Sequence, residues 1–401
     1  MNPLRHYILY GKDGFRLPLP YNYDIKYKKD YAIIYNSDLF DEGWFREKYG
    51  ISQDIDPIIY YLENWATQDL NPSPHFDTKW YLTEYVDVKK NGMNPLRHYI
   101  LYGKKEGRIS KLYTFSELDK LNLKHCIRGR KNFYFLINDT NNEIKQHFDE
   151  NYKNQFNKDV FNQDFVFKKK YFGKQYYYFI VPDKSIICKN LIPFKFKSFK
   201  RNLDLINIPD FSEKLDEKCY YDKDTHQNIE GAKRLSYYIL NYIDPSFTQI
   251  EYNKYLKECN ITEKSEPHDL LSHINWSYSF KEKKNIKINK IMAPTPIDIQ
   301  YLNIPERFSK NKNRASEYIY NPNSYSNQRA LIFRDSSTTP LKHFLCLYFR
   351  EMFLYWDHLS LNKDLIDWFN PDMIIEIRIE RFIENYFTPD WINELRNNTD
   401  I

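Results

Sequence analysis

Two hydrophobic patterns divide the chain near residue 112. In the first part, aromatic and aliphatic positions recur at helical spacing. Asp77 is placed to cap a helix bearing Trp80, Tyr81 and Tyr85 on one face, and Gly92 to stop it. Asn94 caps a second helix that opens with Pro95, where a missing N–H does no harm. Leu96, Tyr99 and Ile100 follow at i, i+3 and i+4, and Gly103 is expected to end that helix. The spacing predicts a helical hairpin.

The hairpin recurs. Met1–Lys12 and Met93–Lys104 are identical, MNPLRHYILYGK in both. A diverged copy lies between them: Phe40–Phe45 matches Phe76–Tyr81 at a period of 36 residues, and Asp56–Tyr61 matches Asn94–Tyr99. One hairpin cannot bury its own apolar face, so the copies are expected to stack. Met1 falls inside a unit, so either a preceding half is missing or the terminal unit is truncated. His6 and His98 read as helix histidines packed against their neighbours.

The second part carries strand-like runs and polar turns. Ala330–Phe333 is a short apolar run, hence a buried strand. Arg334–Thr339 is polar and turn-like, and Pro340 is predicted to open a helix with Leu341, Phe344, Leu345 and Tyr348 on its apolar face. Ser336 would project from the strand's C-terminal end beside a helix N-terminus, where backbone amides can hold an oxyanion. A bland reading makes it only a helix cap. A serine nucleophile needs a base. Asp224-Thr225-His226 stands in a loop before a helix bearing Leu235, Tyr238, Ile239 and Tyr242. In a loop, Asp224 can orient the imidazole through Nδ1–H while Nε2 takes the serine proton. Three other readings stay open there: His226 as a cap, Asp222 and Asp224 as the DxD of a metal-dependent glycosyltransferase, or Asp224 and His226 as metal ligands. For the last, no third ligand at metal-like spacing is apparent.

Composition adds limits. A length of 401 residues favours two or three domains. The 42% of hydrophobic residues suffices for real cores, and the 18% of aromatics fits the bias of an AT-rich genome. A net charge of +5 with no basic stripe argues against a nucleic-acid partner, and the basic run Lys281–Lys287 reads as a solvated loop. The five cysteines are scattered without a CxxC, so neither a disulfide framework nor structural zinc is expected, and a reducing compartment fits. No basic segment followed by a continuous apolar run opens the sequence, so no secretory leader is expected, and no apolar stretch is long enough to cross a bilayer. The expected location is cytoplasmic, or at the inner face of the membrane.

Five separated segments resemble one family. Tyr220–Ala232 is similar to a YxxxDTHWNxxGA motif. Phe333-Arg334-Asp335-Ser336, with Phe344-Leu345 and Tyr348-Phe349, resembles FRDSFxxxLxxFLxxxF. Trp368–Glu376 with Glu380–Ile383 resembles a closing strand, and Tyr134–Asp139 and Val181–Ser185 resemble two earlier ones. Together they cover about 260 residues in the order found in the SGNH-type alginate O-acetyltransferase-like family of polysaccharide O-acyltransferases. The repeat unit resembles the short helical repeats found next to bacterial surface-polysaccharide glycosyltransferases.

The resemblance implies an α/β fold: helical hairpin repeats over 1–112, then a three-layer flavodoxin-like SGNH hydrolase domain over 123–401. It implies Ser336 as nucleophile, His226 as base and later acid, and Asp224 as the orienting carboxylate. Arg334, Asp335 and Arg381 are possible supporting residues, Asp335 by shaping the turn and Arg381 by an ion pair or a site role. Gln227 and Ser337 depart from the pattern, replacing a Trp and a Phe in what would be the site's inner wall. The implied function is transfer of an acetyl or similar small group to a hydroxyl of a capsular or surface polysaccharide. Alternatives are an acetylesterase with the same triad, transfer of a phosphoryl-type group, a glycosyltransferase, or a glycan-binding protein without activity. No bound cofactor or metal is expected. An activated small-group donor would be co-substrate, a polysaccharide the acceptor, and capsule-assembly proteins possible partners of the repeats.

Overall fold

A computed structural model describes residues 27–118, 120, 126–137, 139–266, 288–296, 298–311, 314–357 and 361–398. The first copy of the repeated segment, Met1–Lys12 with His6, and the basic run Lys281–Lys287 lie outside them.

The first part is helical: α1 Lys28–Tyr35, α2 Glu42–Tyr49, α3 Pro57–Asn64, α4 Thr78–Glu84, α5 Val86–Lys90 and α6 Pro95–His98. Matching positions do matching work at the helix starts. Asp41 accepts from Trp44 N at 3.0 Å, and Asp77 accepts from Trp80 N at 2.8 Å. Asp56 caps α3 through Ile58 N and Ile59 N, and Asn94 caps α6 through Arg97 N, each before a first-turn proline. One core serves all six helices, with Phe45, Tyr61, Phe76, Tyr81 and Leu96 among its buried members. His98 is buried there with Nδ1 3.0 Å from Tyr81 Oη. The second helix ends at Gly103 as expected, through a π-type turn, Tyr99–Gly103, but Gly103 is not left-handed; the left-handed residue is Gly107 at φ 75°. Gly103 is glycine for a different reason: a Cβ there would collide with Tyr81 Oη.

The second part is built on strands β1 Cys126–Arg128, β2 Tyr134–Leu136, β3 Tyr176–Val181, β4 Cys259–Glu266, β5 Ile288–Pro296, β6 Gln300–Tyr301, β7 Lys310–Asn311, β8 Arg314–Ala315, β9 Glu317–Tyr320, β10 Arg329–Arg334, β11 Glu351–Trp356 and β12 Met373–Ile379. Three antiparallel pairs, β1 with β2, β4 with β5 and β7 with β8, stand apart from a six-stranded mixed sheet in the order β3-β12-β10-β11-β9-β6. Strands β3, β12, β10 and β11 are mutually parallel, and β9 and β6 close one side antiparallel. The molecule is therefore an α/β fold with a helical N-terminal part.

Alternation along the strands feeds both faces. Ala330 and Ile332 of β10 enter the larger core, with Leu235 and Ile239 of a helix over Ile229–Ile243. Leu331 and Phe333 enter the opposite one, with Leu365 and Phe369 of a helix over Lys363–Phe369. β12, one of the two inner strands of the parallel set, is buried at all seven residues. Its two charged residues, Glu376 and Arg378, are paired inside: Glu376 with Lys168 at 3.1 Å, and Arg378 with Asp357 at 2.6 Å.

The two parts are bolted together at Arg128. Its guanidinium donates to Tyr99 Oη at 2.8 Å, Lys104 O at 2.6 Å and Arg108 O at 3.1 Å. Lys131 N adds a bond to Gly107 O, and Arg130 pairs with Glu84 at 2.9 Å. Among the described residues, no helix is long and apolar enough to cross a membrane.

Candidate active site

Parallel strands of an open α/β sheet present their C-terminal ends on one edge, and chemistry gathers there. On that edge Asp183 follows β3, Arg381 follows β12, Ser336 follows β10 and Asp357 follows β11.

The Asp-x-His segment is a tight loop closed by a bridge between Tyr220 and Gln227. Asn228 locks its base. The side chain caps the Ile229–Ile243 helix through Gly231 N at 3.1 Å and donates back to Lys218 O at 2.7 Å. Inside the loop, Asp224 is fully buried, and its Oδ1 meets both His226 N at 3.0 Å and His226 Nδ1 at 2.7 Å. A carboxylate at that distance fixes the Nδ1–H tautomer. The His226 side chain keeps 24% of its surface exposed.

Lys184 ties the loop to β3. It is buried, and its ammonium donates to Tyr134 O at 2.8 Å, Asp222 O at 2.9 Å and Asp224 O at 3.1 Å. Tyr220 Oη reinforces this by donating to Pro182 O at 2.7 Å. The sequence carried Lys184 only as part of a strand motif, because a backbone-binding lysine has no local signature.

Ser336 is half-buried at the end of β10, in a turn over Ser336–Thr338. Asp335 shapes that turn. Its Oδ1 accepts from Ser337 N at 2.8 Å and Ser337 Oγ at 2.6 Å, and its Oδ2 accepts from Ile379 N at 2.7 Å. The last bond ties the turn to β12. The long helix expected from Pro340 is absent. One helical turn, Lys342–Leu345, is all that forms, so no helix N-terminus points at Ser336. Residues 344–349 are buried consecutively and run on in turns, Tyr348 N bonding Leu345 O at 3.1 Å.

The two polar substitutions are buried. Ser337 is consumed by Asp335, and Gln227 donates to Tyr220 Oη at 3.3 Å. Arg381 sits among carboxylates, touching Asp183 and lying 3.3 Å from Glu143 and 4.0 Å from Asp139. Burial, then the Asp183 charge, pushes the Glu143 carboxyl up to about 7, while Arg381 and His147 hold Asp183 below its ordinary range. Arg334 lies on the other side of Ser336, 3.1 Å from Glu317 and 3.2 Å from Thr339 Oγ1.

No protein-family model matches the chain, and no curated protein does. Among solved structures, it is similar to Bacillus cereus PatB1 at 14% identity, covering 63% of this chain and 94% of that one, with a TM-score of 0.41. It is similar to the O-acetyltransferase domain of Pseudomonas putida AlgJ at 14% identity, over 69% of this chain and 100% of that one, with a TM-score of 0.40. Pseudomonas aeruginosa AlgX follows at 13% identity, over 64% and 62%, with a TM-score of 0.35.

Of the two aspartates in the DxD string, Asp224 is buried and turned inward onto His226, while the Asp222 backbone carbonyl accepts from Lys184 and Tyr134 N. Among the described residues, no group of three His, Cys, Asp or Glu side chains is arranged to hold a metal ion.

Proposed function

We propose that the protein is an SGNH-type serine O-acyltransferase that moves an acetyl or similar small group from an activated donor to a sugar hydroxyl of a bacterial surface polysaccharide. The observation that carries this is the buried Asp224 carboxylate 2.7 Å from His226 Nδ1, in a loop that Lys184 ties to the end of β3. The ordered motif set in the sequence supports it.

In this reading His226 Nε2 takes the Ser336 hydroxyl proton as Oγ bonds to the donor's acyl carbon. The bond from that carbon to the leaving group breaks, and His226 returns the proton to the leaving group. A sugar hydroxyl then attacks the acyl-serine, His226 takes its proton, and Ser336 Oγ leaves and recovers it. The oxyanion needs donors from the turn itself. Asp335 engages the Ser337 amide and Ser336 O engages that of Thr339, which leaves the amides of Ser336 and Thr338. The helical part serves as a docking surface for acceptor or assembly partners.

Replacing Ser336 with Ala tests the reading. Loss of several orders of magnitude in acyl transfer is expected, because members of such a set act as a unit. Retained activity would end it. A fluorophosphonate should label Ser336 in the wild-type chain, and the ratio of sugar transfer to hydrolysis separates the transferase from an esterase.

A further inference from the structure

Beyond the nucleophile, cations gather around Trp356 at the end of β11. The guanidinium carbons of Arg334 and Arg314 each lie 4.7 Å from the centre of the Trp356 ring. Trp356 ends β11 and pairs with Arg334 in register, and its carbonyl is held by Asn311 Nδ2 at 3.0 Å. Arg334 is 3% exposed and Arg314 is exposed, so the indole carries one cation inside and one at the surface.

The acids nearby do not balance them. Glu317 is shared, one oxygen 3.1 Å from Arg334 and the other bonded to Lys342. Both Asp335 oxygens are engaged elsewhere, by Ser337 and by Ile379 N. Among the described residues, Arg334, Arg314 and Lys342 therefore have the single Glu317 carboxylate between them. Arg334 Nε is buried without a hydrogen-bond partner among the described residues, and burial, opposed by Glu317 and Asp335, leaves its guanidinium less basic than usual. The same guanidinium reaches the Ser336 turn, at Asp335 O (3.4 Å) and Thr339 Oγ1. Guanidinium groups stacked on an aromatic face suit planar or tetrahedral oxyanions.

We infer that Arg314, Trp356 and Arg334 form a subsite beside Ser336 for an anionic group, a carboxylate or a phosphate, on the molecule that meets the nucleophile. Two sources share that chemistry: an acidic sugar of the acceptor and a phosphate of the donor. Assigning the ligand to either rests on the proposed function, whereas anion binding itself does not.

The test uses the full chain with labelled tryptophan indoles, the Trp356 resonance being assigned with W356F. It is titrated with inorganic phosphate, glucuronate or glucose at constant ionic strength. Saturable movement of the Trp356 signal by phosphate or glucuronate, but not glucose, is expected, with binding about tenfold weaker in R314Q. Stronger response to phosphate indicates the donor, and stronger response to glucuronate the acceptor. No response beyond that to chloride, or the same response in R314Q, overturns the subsite. Fluorophosphonate labelling in the same samples reads Ser336 separately, so loss of the serine reading and loss of the subsite are distinguishable.

Discussion

Asp224 has no contact with water, and one of its oxygens meets the same histidine twice. An amide there keeps the size and can still accept from His226 N, but it stabilises the wrong ring tautomer and no imidazolium. D224N is therefore expected to lower acyl transfer by about 10⁴-fold, with little change in melting temperature, read from steady-state kinetics beside a thermal scan. Lys184 works one layer further out. K184M would leave three carbonyls without their buried donor. A lower melting temperature is expected, and a displaced loop should cost about 10²-fold in kcat with KM unchanged, a split that simple loss of folded protein would not give. At this scale the sequence was half legible. Asp224, His226 and Ser336 announce themselves because their chemistry has a spacing or a turn attached. Lys184 and Arg314 do not, since one binds backbone and the other owes its place to an indole on another strand.

Elements were legible where one pattern ruled. The strand expected at Ala330–Phe333 forms as β10, and the helix after Asn228 forms with Leu235 and Ile239 inward. After Pro340 only the turn Lys342–Leu345 forms, inside a run that is buried from Phe344 to Phe349. The closing strand expected from Trp368–Glu376 forms as β12, but the inward place of its charged Glu376 and Arg378 shows only once Lys168 and Asp357 meet them. The Ile229–Ile243 helix also has a fixed starting point. A Cβ on Gly231 would strike the Cys219 carbonyl oxygen and lie 3.0 Å from its carbon. G231A should destabilise the fold by about 1–3 kcal/mol, measured by the denaturant midpoint. It should also reduce transfer, because Asn228 caps that helix two residues after His226.

For the whole molecule, pH acts through the carboxylates around Arg381. A carboxyl raised above its ordinary value holds its proton more tightly folded than unfolded. Glu143 thus contributes most below its usual value of 4.5, and that contribution is lost as pH rises through about 7. Over this window E143Q should gain on the wild type by a few kcal/mol, visible as a flatter profile of unfolding free energy against pH. The joint between the helical part and the sheet is a second global feature. R128A removes bonds to Tyr99, Lys104 and Arg108 and should destabilise that joint by about 1–3 kcal/mol. Faster amide exchange over residues 99–113 than over β10 is the expected sign.

The strand order also fixes a schedule. β12 leaves the ribosome after every other described strand, yet its place is between β3, which anchors the histidine loop, and β10, which carries the serine. A nascent chain that has emerged only to residue 360 has both halves of the chemistry but lacks the strand that lies between β3 and β10. Such a chain should be inert, and competence should arrive in a single late step when residues 373–379 slot in.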